Sequence, residues 1–243
     1  MDNKVHETLD KCTDYYAVSY DFRARGFTDG FSPYLKAKIT QALEEFAALL
    51  PDRLTQFQKV CLLYQCIASE GIYSPTPHPM SYRFLGALRD RDAVCKGYAE
   101  LMTILLNTVV GCRAYTVIGY TTPSIEKTTL SDSSHAWNLV VFSDGSAYHM
   151  DVTWDLKNVS AGRPPQWFLR SDSEMKRYWI RDKYPAAARK FTGRIYRDEQ
   201  LLARLRAQYR SLKSRFAEGT YSLPRFVPED SAQASCVFSR SCS

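Results

Sequence analysis

The chain has 243 residues, 45% of them hydrophobic and 24% charged, which excludes collagen-like, low-complexity and wholly disordered proteins. At roughly 100–200 residues per domain it predicts one large domain, or one with a small appendage, with enough length to bury a core without disulfides or structural metal. The net charge of +6 is uneven: residues 176–215 carry 13 basic and 3 acidic side chains, and the remainder is mildly acidic.

Met1 to Asp10 are polar and lack the apolar run of a secretory signal. Nowhere does the sequence reach the roughly 18 uninterrupted apolar residues of a membrane span. Cytoplasmic residence is the expectation, although export by a signal-less route would leave the same pattern. The seven cysteines (Cys12, Cys61, Cys66, Cys95, Cys112, Cys236 and Cys242) are odd in number and scattered, which favours reduced thiols over a disulfide framework.

Apolar residues on a 3.6 period predict helices over Pro33–Leu50 and Leu54–Ile67. Gly71 with Pro75, Pro77 and Pro79 predicts a loop. A third helix is expected from Asp92, as N-cap, to Val110, with Gly111 just past its end. Strands follow at Arg113–Tyr120, His135–Phe142 and Ala147–Val152, the last two joined by a hairpin turn over residues 143–146. Residues 121–134 read as a polar loop, and the chain beyond Trp154 reads as irregular until an amphipathic helix at Asp198–Phe216. No repeat of solenoid or propeller period is present.

Three residues point to chemistry. Cys95 falls in the first turn of the third helix, where unpaired N–H groups, the helix dipole and adjacent Lys96 favour a thiolate. His135 opens one strand and Asp151 lies near the end of the next, so an antiparallel hairpin makes them approximate cross-strand neighbours. A carboxylate beside an imidazole fixes its tautomer, and a thiol reaching the other ring nitrogen completes a nucleophile–base–orienter set. His149, two residues before Asp151, is the nearest rival to His135 and is read as packed or at the surface. Cys61, Cys66, Cys112 and His78 do not follow a zinc-site spacing, so no metal or cofactor is expected.

Val94-Cys95-Lys96-Gly97-Tyr98-Ala99, His135-Ala136-Trp137-Asn138 and Asp151-Val152-Thr153-Trp154-Asp155 resemble, in order and spacing, the motifs of the transglutaminase-like superfamily in its bacterial branches. The segment from Trp167 to Asp172 resembles one that often follows there. The resemblance implies an α+β, papain-like core in which N-terminal helices and a Cys-bearing helix pack on an antiparallel sheet carrying His and Asp. It implies acyl transfer on protein or peptide amides by a Cys95–His135–Asp151 triad, with peptide-bond hydrolysis first. Glutamine deamidation, cross-linking or a non-catalytic binding scaffold are the alternatives. The Cys95 N–H would help bind the oxyanion, Tyr73 is a candidate second donor, and Trp137 and Trp154 are candidate cleft walls.

The expected organisation is an N-terminal helical region (1–70), a catalytic core (71–185), a basic C-terminal helical region (186–218) and a flexible tail (219–243). The basic stretch 176–215 suits a solvated helix face docked on the core, or else an anionic partner or membrane surface. Tyr178, Trp179, Tyr184 and Phe191 read as core anchors rather than a base-stacking array, which argues against nucleic acid.

Overall fold

Two N-terminal helices form where the apolar period predicts them. Ser32 caps the first, α1 (Pro33–Leu49), by accepting the Leu35 N–H. Thr55 and Gln58 form a reciprocal capping box on the second, α2 (Gln56–Glu70), which satisfies two otherwise orphaned donors. The computed structural model describes residues 31–121, 134–175, 179–180 and 186–217. The polar N-terminus, most of the loop before His135, the tail, Cys12, Cys236, Cys242, Tyr178 and Tyr184 lie outside the described residues.

The stretch after Gly71 is more ordered than its prolines suggest. Ile72–Tyr73 (β1) pairs in parallel with Asp92–Ala93 (β2), with a 3-10 turn at Pro79–Tyr82 and a π turn at Gly86–Asp90 between them. The Tyr98 hydroxyl accepts the Ile72 N–H at 2.7 Å and sits against the Arg91 carbonyl, tying both short strands to the following helix. That helix, α3 (Cys95–Leu105), starts later than predicted. Asp92 lies in β2, and Val94 stands at the N-cap with no side-chain cap. Its last turn loosens into a π turn at Leu106–Val110, closed by Gly111 at φ 76°, the left-handed conformation that favours glycine.

A four-stranded sheet follows in the order β5-β4-β3-β6, built from β3 (Arg113–Thr121), β4 (Ser134–Val141), β5 (Ala147–Met150) and β6 (Trp179–Ile180). β3 pairs antiparallel with β4 and β6, and β4 with β5. The β4–β5 turn is the predicted one, with Gly145 at φ 81°. Two expectations fail here. β5 ends at Met150 rather than Val152, and the chain just beyond Trp154 is not irregular: Val152–Ser160 is a helix, α4, with Asp151 as N-cap. Val152, Leu156 and Val159 bury one side of it, so a helical spacing overrides the β-branched start.

The sheet divides two apolar clusters. One face meets α3 through Ala136, Ala114 and Val140, while Tyr115, Val117, Trp137, Leu139 and Met175 pack on the other. Asn138 fastens α3 to β4, its Nδ2 donating to the Ala99 carbonyl at 2.8 Å and to Thr103 Oγ1 at 3.0 Å. After the four-residue helix α5 (Asp172–Met175), the basic helix α6 (Glu199–Ala217) buries Leu202, Leu205, Tyr209 and Leu212 in the same core as α1 and α2. Three of its arginines make contacts within the fold. Arg206 reaches Ser69, Arg210 pairs with Glu70 at 2.8 Å, and Arg215 pairs with Glu45. Among the described residues, no helix is long and apolar enough to cross a membrane.

Candidate active site

Cys95 is the first residue of α3, and the regular ladder behind it begins with the Tyr98 N–H on the Val94 carbonyl. The preceding N–H groups of the first turn therefore carry the positive end of the helix dipole. Its side chain packs with Ala99 and Ala136, against Ile118. The clamp made by Asn138 sets this distance between helix and strand. Gly97 lets the other side of α3 lie close against the upstream turn, since a Cβ there would meet the Ser81 carbonyl oxygen at 2.6 Å.

His135 lies at the start of β4, opposite Gly119 of β3. Its Nε2 donates to Asp151 Oδ2 at 2.7 Å, leaving Nδ1 for Cys95. All three side chains are buried: Cys95 and His135 are each 4% exposed and Asp151 1%. The sequence predicts Asp151 near the end of a strand, as an approximate cross-strand neighbour of His135. Instead it follows β5 by one residue and reaches His135 diagonally, because Asn138 pairs with Met150 in the ladder. Its other oxygen, Oδ1, accepts the Trp154 N–H at 3.1 Å as the cap of α4.

The electrostatics follow from this packing. Burial pushes the Cys95 thiol up, but the charge and hydrogen bond of His135 and the N–H of Ala136 bring it below the ordinary thiol range. Burial also pulls the His135 imidazolium down, yet Asp151, Cys95 and the hydrogen bonds to both outweigh it and raise it to about 10. Opposite shifts in two touching groups favour the thiolate–imidazolium form. By contrast, burial raises Cys61 and Cys112 each to about 12 and drives Cys66 higher still.

Around the trio, Trp154 sets its edge against His135 with ring centroids 6.0 Å apart and is 45% exposed. It also stands 5.5 Å from Trp167. Trp137 is buried behind His135, its ring within 16° of parallel. Of the two predicted cleft walls, only Trp154 thus presents surface. Tyr73 pairs in β1 with Ala93, two residues before the thiol. His149 is buried, away from Asp151's partner, and bonds instead to Trp137 and Asp172.

Residues the sequence reading did not single out support the trio from below. Asp155, fully buried, accepts the N–H groups of Gln166 and Trp167 at 2.7 and 2.8 Å. Tyr64 lies 2.7 Å from both Asp155 Oδ2 and the Asp151 carbonyl. An aspartate four residues after a helix N-cap was the available signal for Asp155; nothing local marks Tyr64. Among the described residues no group of three His, Cys, Asp or Glu side chains forms a metal-binding cluster. His78 spends its Nδ1 on the Met80 N–H.

Residues 45–152 match the family model of the transglutaminase-like superfamily, a span that contains Cys95, His135 and Asp151. Over this span, less than half of the chain, the sequence is similar to a transglutaminase-like core. The α+β arrangement of a Cys-bearing helix on an antiparallel sheet is the fold of that core. Three solved structures are similar over part of it. A candidate cysteine protease from Cytophaga hutchinsonii is 19% identical over 49% of this chain and 37% of that one, with a TM-score of 0.36. The periplasmic domain of TgpA from Pseudomonas aeruginosa is 18% identical over 52% and 46%, TM-score 0.36. A TGase is 18% identical over 63% and 38%, TM-score 0.39. The chain thus spans less than half the length of each of these structures. No curated protein matches it.

Proposed function

We propose that this transglutaminase-like core is a thiol enzyme acting on protein or peptide amides, with hydrolysis of a peptide bond as its reaction. The observation that carries the reading is the buried Cys95–His135 pair, each shifted toward its charged form, with Asp151 2.7 Å from the imidazole. Cys95 Sγ, as thiolate, attacks the amide carbon, and the carbonyl electrons move onto oxygen. The Cys95 N–H, at the positive end of α3, is one donor to that oxyanion; Tyr73 is a candidate for another. Collapse expels the amine, which takes the proton from the His135 imidazolium, and leaves a thioester on Cys95. His135, now neutral, removes a proton from water as it attacks the thioester, and the acid and thiolate are released. Asp151 holds the ring in one tautomer throughout. Trp154 and Trp167 supply an aromatic wall at the mouth of the site.

The test uses wild type and Cys95→Ser with a complex peptide mixture, read by mass spectrometry. New termini that require Cys95 support hydrolysis. Gln residues heavier by about one mass unit, or cross-links, would move the reaction to deamidation or transamidation by the same thioester. No Cys95-dependent product would favour a binding scaffold.

A further inference from the structure

The His135–Asp151 contact is repeated one step along the same sheet face. In the β4–β5 register Leu139 faces His149, so Trp137 stands to His149 in the same diagonal relation as His135 to Asp151. Trp137 Nε1–H donates to His149 Nδ1 at 3.0 Å. Because Nδ1 accepts, the His149 proton sits on Nε2, which donates to Asp172 Oδ1 at 2.9 Å. The second Asp172 oxygen accepts the Ala187 N–H at 3.0 Å, and the Asp172 N–H donates to the Ala187 carbonyl at 2.8 Å. His149 is fully buried, and β5 is pinned beside it by two hydrogen bonds with Arg170.

A buried imidazole and a partly buried carboxylate are costly unless fully bonded, and apolar side chains would fill the same volume. What the bonded chain adds is direction. It fixes the plane of the Trp137 indole, which lies within 16° of the His135 ring at 6.3 Å between centroids. With Asp151 on Nε2, Cys95 at Nδ1 and the Trp154 edge on another side, the indole closes the remaining freedom of the imidazole. We propose that His149 and Asp172 are positioning residues that act through Trp137 to orient His135, an inference that rests on the thiol-enzyme reading above. None of the three touches the reacting atoms. Their effect is on how well His135 stabilises the Cys95 thiolate.

The experiment follows alkylation of Cys95 by iodoacetamide against pH, quantified on the Cys95 peptide, in wild type, His149→Phe, His149→Gln and Trp137→Phe. Phe at 149 fills the space with no donor or acceptor, while Gln keeps one of each. The acidic limb of the Cys95 profile is expected to move up by about one pH unit in His149→Phe, tenfold in thiolate at a given pH, and less in His149→Gln. Trp137→Phe, which removes the indole donor but keeps a ring, moves it the same way and decides the case if His149→Phe does not fold. A lower melting temperature with a limb superimposed on wild type would overturn the positioning role. A wild-type profile with no limb below the ordinary thiol range would overturn the triad reading itself, and the relay with it.

Discussion

Asp151 serves His135 with one oxygen and the backbone with the other: Oδ2 lies 2.7 Å from the imidazole Nε2, while Oδ1 caps α4 through the Trp154 N–H. Asn is as good an N-cap as Asp, whereas Ala at a cap costs about 1 kcal/mol. Asp151→Asn is therefore expected to keep the cap, and so more stability than Asp151→Ala, but to lower the Cys95-dependent rate by up to about 10⁴-fold through loss of the correct imidazole tautomer. Asp151→Ala is expected to lose both. Paired denaturation and rate measurements separate the two roles.

The same contact fixes the upper end of the pH range. His135 holds its proton to about 10, against 6.5 for the free group, because Asp151 and Cys95 outweigh burial. The high-pH loss of activity, where the imidazolium gives up its proton, falls near that value in wild type. Removing the carboxylate leaves burial, which disfavours the charged ring, with less opposition. The alkaline limb of Asp151→Ala moves down, toward neutral pH, and a rate profile from pH 5 to 11 measures the shift.

Asn138 holds the nucleophile's helix to the base's strand. Its Nδ2 donates to the Ala99 carbonyl and to Thr103 Oγ1, and Thr103 is bonded in turn to Thr116 at 2.8 Å. Asn138→Leu keeps the branched shape and loses both bonds, at about 1–3 kcal/mol. Asn138→Asp sets a carboxylate against the Ala99 carbonyl and is expected to cost more. Urea unfolding orders the three proteins, and Cys95 alkylation at neutral pH falls in the same order.

Gly97 lies where α3 crosses the turn segment upstream of it. A methyl group would stand 2.6 Å from the Ser81 carbonyl oxygen and 2.9 Å from that of Arg83. Both obstacles are backbone, so Gly97→Ala must shift the N-terminal turn of α3, at about 1–3 kcal/mol for an overpacked site. The gain in helix propensity on replacing Gly, about 1 kcal/mol, offsets only part of this. Thermal unfolding reads the stability change, and the rate reads the displacement of Cys95.

Much of this arrangement is legible in the sequence where burial repeats at a regular period. Leu35, Ile39, Leu43 and Phe46 mark α1, Leu205, Tyr209 and Leu212 mark α6, and the β-branched runs with Asp144-Gly145 between them mark the hairpin. The positions of Cys95 and His135 at the starts of their elements are legible for the same reason. β1 and β2 are not, because two-residue strands carry no period and exist through tertiary bonds such as that of Tyr98. α4 is misread because Val152 and Thr153 continue a strand pattern, although Asp151 at the cap and the Val152, Leu156, Val159 spacing carry the helical signal. The His149–Asp172 contact joins residues 23 apart whose pairing depends on the chain folding back at Arg170, which no local pattern encodes.

Whether Cys95 and His135 form a thiolate–imidazolium pair is tested most directly by alkylation of Cys95 against pH in wild type and His135→Ala. Wild-type Cys95 is expected to react on a plateau through neutral pH, whereas in His135→Ala burial and Asp151 raise the thiol against the Ala136 N–H alone and the plateau is gone. A wild-type rate that climbs about tenfold per pH unit up to the ordinary thiol range, with His135→Ala on the same curve, would contradict it.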